Sequence, residues 1–404
     1  MLTVLSLLDN RLRPKGSRDP LAIESIWSSV GRKAVGNLTT VTSRMSHFMV
    51  ALLACRYAHA GTKSRPLEEV QQRYARAEQL SAYLRLHDSV KAGPLGSQLA
   101  IANLKRDSME LGIHKKAQIL SNQLSYGLWG LYSYALQAAG LIKGSERRLT
   151  DRGMALTDLM LQVLGDSRWQ RFEDLAGRNN VTRAQLSLLA PDFAALLNDK
   201  SLRKHIVLAL LNYQGAGPLQ VALFEAVNVW LLLLGDKSSV RDFIQWALTE
   251  QSVDPQLQDV LKQILLLQPV LVFANTLVAW LQSQKGRSRS DLIDDLSPRL
   301  AAPFLPLGWS RPGLPHLSFL QSLVEAANRG DASSVIEQIV IQNSAVMGQR
   351  GGAAWLHWEA DKLKVRVPVD RARLPEDLSS HCGKTWDYSF FLHSFLTIAK
   401  AGHQ

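Results

Sequence analysis

Cysteine is nearly absent from this 404-residue chain, which holds only Cys55 and Cys382. Two thiols so far apart cannot staple a disulfide scaffold or build a four-thiolate zinc site. They read as free thiols in a reducing cytoplasm. A secretory leader is also not expected. The opening MLTVLSLLDNRLRPKG has a short apolar run, no basic residue before it and no small-residue cleavage site after it. One stretch, Ile264 to Leu281, has the length of a membrane span. Gln268, Pro269, Asn275 and Thr276 interrupt it, and each polar group would need a partner in lipid. It is therefore expected to be buried in a soluble protein with no membrane contact.

Catalytic signatures are missing as well. There is no G-x-x-x-x-G-K-[ST] phosphate loop, no G-x-G-x-x-G, no H-E-x-x-H and no G-x-S-x-G. No Asp or Glu stands two positions before any lysine, which removes the restriction-type nuclease site, where both side chains must reach one metal-bound phosphate. Weak candidates remain. His381-Cys382 are adjacent on an expected loop and rarely able to face each other. His357 and Glu359, with His393, are the nearest thing to a metal set. Asp291, Asp294 and Asp295 read as a solvated face or a helix start. None is assigned catalysis, and no metal or cofactor is expected.

What the chain does have is unevenly placed positive charge. The net charge is +11, and residues 1–150 carry 21 Lys+Arg against 10 Asp+Glu, whereas residues 151–404 carry 25 of each. A one-sided basic region is the usual footprint of a polyanion partner, because neutralised phosphates release their counterions. The candidate DNA-binding residues are Arg11, Arg13, Lys15 and Arg18; Arg32 and Lys33; Lys105 and Arg106; Lys115 and Lys116; and Arg147 and Arg148. Double-stranded DNA, or another nucleic acid, is the expected partner. An acidic protein subunit is the alternative.

Apolar spacing predicts helices over 20–33, 43–58 and 67–87, the last with Pro66 ahead of it, acids in its first turn and Arg85 near its end. Residues 113–165 read as a candidate winged helix. A helix over 115–123 precedes a second over 128–139 that Gly140 terminates; strands at 141–143 and 148–150 then flank a turn, and a helix starts at Asp151. The second helix, LWGLYSYALQAA, has no Arg, Lys or Asn to read base edges, so this module either touches phosphates or only packs. Further helices are predicted over 183–198, 201–213, 218–235, 238–250, 255–267 and 269–283. The proline-rich 286–316 reads as an irregular connection. Helices over 317–328 and 331–343, strands at 355–359 and 363–369, and a helix over 388–399 complete the chain. The expected fold is mainly α: helical bundle regions, the candidate winged helix and a small C-terminal α/β piece. The expected divisions are 1–112, 113–165, 166–300 and 301–404.

Ser17 to Arg44 (SRDPLAIESIW…GRKAVGNLTTVTSR), then RYARAEQLSAY and LSNQLSYGLWGLYSYALQAAGLI…LTDRG, resemble an uncharacterised group of bacterial proteins. That group tends to share an R-D-x-L-G start and a G-x-L-T-x-x-T turn before a long helix. This chain has Ala22 where the pattern more often has Gly. The resemblance spans roughly the first 160 residues, with the C-terminal YSFFLHSFLTIA as an addition. Such groups lie in mobile anti-phage defence or DNA-modification gene clusters, which implies a DNA-associated accessory subunit. Three functions are therefore carried forward: a non-enzymatic DNA-associated subunit, an assembly subunit holding an acidic partner, and an enzyme with an unrecognised C-terminal site.

Overall fold

The computed structural model describes residues 19–62, 64–87, 93–234 and 239–403. The chain folds into two compact units. Unit 1 takes residues 1–33 and 241–390, and unit 2 takes 34–240 and 391–404. Among the described residues the fold is mainly α-helical with three short strand pairs. The four expected segments divide the chain differently: positions 112 and 165 fall inside unit 2, and 300 inside unit 1.

The chain enters unit 1 through α1 (Ile23–Ala34). Unit 2 then opens with α2 (Met45–His59) and α3 (Leu67–His87). Almost every residue of α2 is buried, as expected of a helix apolar all round and surrounded by neighbours. A short α4 (Ser97–Leu104) leads to β1 (Ser108–Glu110), neither of which the sequence pattern marks. Residues 115–122 are not helical, contrary to expectation. Side chains hold their backbone instead: the Gln118 amide donates to Ile113 O (2.5 Å), and Asn122 accepts from Ser125 N (3.1 Å). Helix therefore starts only at α5 (Gln123–Tyr126), and the expected 128–139 helix is broken into α6 (Leu128–Leu131) and α7 (Ser133–Ala138).

Strands β2 (Ile142–Lys143) and β3 (Arg148–Leu149) form the expected hairpin, and α8 (Asp151–Leu164) follows with Thr150 as its cap. Gly153 lets the hairpin rest on that helix, because a Cβ there would stand 2.1 Å from Leu141 O. Unit 2 continues with α9 (Asp166–Gly177), β4 (Asn180–Thr182), α10 (Arg183–Ser187), α11 (Ala190–Asn198), α12 (Lys200–Leu211) and α13 (Pro218–Leu234). The single helix expected over 183–198 is two, because Pro191 in the first turn of α11 cannot continue an earlier helix.

Helix α14 (Val240–Thr249) leads into α15 (Pro255–Gln282), one continuous helix where Pro269 was expected to divide two. Burial along its length offsets the roughly 3 kcal/mol that an interior proline costs. Among the described residues it is the one helix long and apolar enough to cross a membrane, and 67% of its apolar window is buried, as in a core helix. The 286–316 connection is partly ordered, because a Ser288/Asp291 capping box starts α16 (Arg289–Leu296). Helices α17 (Leu317–Asn328) and α18 (Ala332–Gln349) precede the hairpin β5 (Leu356–Glu359) and β6 (Lys362–Val365). Asn343 of α18, fully buried, accepts from Trp355 N (2.8 Å) and Leu356 N (3.0 Å) and donates to Pro20 O (3.1 Å). Helix α19 (Leu378–Lys384) ends unit 1, and α20 (Leu392–Ala401) belongs to unit 2.

Candidate nucleic-acid interface

Strands β1 and β4 pair antiparallel, Ser108 with Thr182 and Glu110 with Asn180. Met109 and Val181 are buried opposite each other, and their neighbours on both strands face solvent, so a single apolar pair pins a two-stranded ribbon to unit 2. Lys105 and Arg106 precede β1, Lys115 and Lys116 follow it, and Arg178 and Arg183 flank β4. All six are exposed, and none has an ion-pair partner among the described residues. The antiparallel register puts Arg183 at the Lys105–Arg106 end and Arg178 at the other. At about 3.4 Å per residue the two ends stand roughly 10 Å apart. The acids here are Asp107, exposed, and Glu110, which lies 3.6 Å from His114.

Helix α3 holds the ribbon from beneath. Arg76 donates to Gly177 O (3.1 Å) and Asn179 Oδ1 (2.8 Å) ahead of β4. Gln79 clamps Gly112 beyond β1, donating to its carbonyl (2.8 Å) and accepting from its N–H (2.9 Å). The Gln79 amide also donates to Gln123 Oε1 (2.9 Å), and Gln123 Nε2 donates to Glu78 Oε2 (3.1 Å). A chain of hydrogen bonds thus runs from a buried carboxylate to the segment that carries Lys115 and Lys116.

Glu78 accepts a second bond from Leu128 N (2.8 Å). Gly127 makes room for it, since a Cβ there would stand 2.7 Å from Glu78 Oε1. Burial pushes this carboxyl up to about 7, against the lowering effect of its two donors. Nearby, His47 Nδ1 lies 2.9 Å from Tyr132 Oη, whose hydroxyl donates to Val41 O (3.1 Å), so the imidazole donates from Nδ1. Its buried Nε2 has no hydrogen-bond partner among the described residues. Burial first, then Arg85 and Arg44, push His47 down to about 3, and it stays neutral. His47, Glu78, Ser81 and Arg85 line a cavity of about 10 Å³, room for about one water.

The other expected residues lie elsewhere. Arg11, Arg13, Lys15 and Arg18 fall outside the described residues. Arg32 and Lys33 belong to unit 1, where Lys33 Nζ donates to Gln263 Oε1 (3.3 Å). Arg147 is turned into its own hairpin: it bonds Ser133 Oγ (2.8 Å) and Ser145 O (2.7 Å) and covers the Trp129 ring at 4.9 Å. Arg148 lines a separate cleft with Arg56 and His59. Arg56 is paired there with Asp158 (2.6 Å), and Arg148 lies 3.8 Å from Glu146.

His381 and Cys382 lie on helix α19, not on a loop. His381 Nε2 meets Thr276 Oγ1 (3.2 Å), and burial pushes the Cys382 thiol up to about 12. Glu359 is ion-paired with Lys364 (2.5 Å), and His393 belongs to the other unit. Among the described residues no three His, Cys, Asp or Glu side chains gather to hold a metal ion.

Arg178 and Arg183 escape sequence reasoning because they sit in the electrically balanced part of the chain. Only the pairing of β4 with β1 brings them to the basic set. Comparison with protein-family models, curated proteins and solved structures finds no match.

Proposed function

We propose that the chain is a non-enzymatic, DNA-associated subunit of a bacterial multi-protein system, of the anti-phage defence kind, working in the cytoplasm. It lays the β1–β4 ribbon of unit 2 against the phosphates of double-stranded DNA. The observation that carries this reading is the ribbon's six exposed cations without acidic partners, in a unit that holds 25 Lys+Arg against 16 Asp+Glu. Unpaired surface cations release phosphate counterions at little cost, whereas paired ones must first break their own contacts. Duplex binding should fall steeply as salt rises, with a log–log slope of about −4 to −6 if four to six cations meet phosphates. Absence of binding at low salt, or a flat salt dependence, defeats the proposal.

One observation favours a protein partner besides DNA. On α13, Val229 (41% exposed), Leu232 (76%) and Leu233 (63%) leave an apolar patch in solvent, which suits contact with another subunit of the same system. Co-purification of a partner with no shift of labelled duplex would favour assembly without DNA contact.

A further inference from the structure

Beside the ribbon, α9 and α10 enclose an open cleft of about 330 Å³, within the size range of small-ligand sites. Its chemistry is divided. Arg171 and Arg178 are exposed on its wall and have no ion-pair partner among the described residues. Leu188 presents an apolar face at 62% exposure. Between them stand Gln170, Asp174 and Gln185. Gln185 uses its Oε1 to accept from Thr182 N (2.9 Å), which leaves its Nε2 donor uncommitted. Gln170 Nε2 donates to one Asp174 oxygen (3.1 Å), which leaves the Gln170 carbonyl and the second carboxylate oxygen as acceptors.

We propose that this cleft takes a single unpaired nucleotide from the end of a bound duplex. The inference rests on the DNA reading above and deepens it. Phosphate meets Arg171 and Arg178, the base lies on Leu188, and its edge meets Asp174, Gln170 and the Gln185 amide. Arg178 belongs to both the ribbon and the cleft, so a backbone tracked along the ribbon arrives at the pocket already oriented. Asp174 is an acceptor and an anion. It favours bases that present an amino group, as adenine, cytosine and guanine do, over thymine, whose edge offers one N–H between two carbonyl oxygens. Two free guanidiniums beside one carboxylate still leave the cleft attractive to a phosphate.

The test compares a short blunt duplex with the same duplex carrying a 2-aminopurine overhang, using the full chain and fluorescence anisotropy at about 0.1 M salt. The native chain should bind the overhang about tenfold more tightly, with a change in 2-aminopurine emission, and should gain less from a thymine overhang. Leu188→Ser, at an exposed position, should abolish the overhang advantage while blunt-duplex binding stays within about twofold. Arg171→Ala should do the same, whereas Arg178→Ala should weaken both substrates. Equal binding of blunt and overhang duplexes by the native chain overturns this inference alone, as does an advantage that survives Leu188→Ser. Failure to bind either substrate at low salt overturns the DNA reading with it.

Discussion

The two units differ in how much of their positive charge acids balance. Unit 1 holds 21 Lys+Arg against 19 Asp+Glu, and several of its described arginines are tied to the fold. Arg289 pairs with Glu337 (2.8 Å), Arg311 with Asp259 (2.8 Å), and Arg287 with Asp295, while Arg350 reaches Asp19. Three of the four join segments distant in sequence, such as a proline-rich loop to α15; the Arg287–Asp295 pair is local to α16. Unit 2 carries most of the excess charge, and its ribbon cations are tied to nothing described. Electrostatics that completes a fold leaves little potential for a partner; electrostatics left unpaired creates a field in solvent.

The sharpest way to break this contrast is charge reversal on the ribbon. Replacing Lys105, Arg106, Lys115 and Lys116 with Glu should weaken duplex binding about 10³-fold or more at 0.1 M salt. The melting temperature should barely move, because all four side chains are exposed. Titration of a labelled duplex and thermal melting of the same sample check both halves. In unit 1 the pattern should invert. Asn343→Ala removes the acceptor of two buried N–H groups and the donor to Pro20 O, and should cost about 4 kcal/mol in urea unfolding. Duplex affinity of the folded fraction should be unchanged.

The third prediction concerns pH and belongs to unit 2. Glu78 is held at about 7 against an ordinary 4.5, so the folded state binds its proton more tightly than the unfolded chain does. Its stabilising contribution is complete below pH 4.5 and is lost as pH rises through 7. His47, held at about 3 against 6.5, acts oppositely: its contribution is present above pH 6.5 and is lost as pH falls toward 3. Together the two groups should give a flat maximum of stability between about pH 4.5 and 6.5. Glu78→Gln should remove a loss of about 3 kcal/mol spread over pH 4.5 to 7. The substituted amide mismatches Gln123 at every pH, so the slope between about pH 4.5 and pH 7, not the absolute value, is the readout. An unchanged slope over that window in the variant would show that Glu78 is not the titrating group.

Much of the architecture was legible in local signals. Both ends of α3 follow from Pro66, the acids of its first turn and Arg85 and His87 in its last. The β2–β3 hairpin and the start of α8 follow from Gly140, Gly144 and Thr150, which act on their immediate neighbours. The ribbon was not legible. Its strands are three residues each, too short to show alternation, and all of α5 to α9 lies between them. Four of its six cations were identified from their clustering. The other two became part of the set only through that long-range pairing. Glu78 and Gln79 were missed for a different reason. Polar residues within a helical stretch ordinarily face water, and only the Gln123 and Gly127 contacts show that this pair faces inward.

The smallest expected effect tests the contrast inside unit 2. Arg147 and Arg178 are the same residue type in the same unit. Arg147 is folded onto Trp129 and bonded to Ser133 and Ser145, whereas Arg178 is exposed beside the ribbon. Arg147→Ala should therefore act on stability, costing about 1 kcal/mol through lost hydrogen bonds and ring contact. The salt slope of duplex binding should stay as it was. Arg178→Ala should leave the melting temperature alone and reduce that slope by about 1. If Arg147→Ala also lowers the slope, its guanidinium leaves the hairpin when DNA is bound, and the boundary between structural and free cations in unit 2 has to be redrawn around the β2–β3 turn.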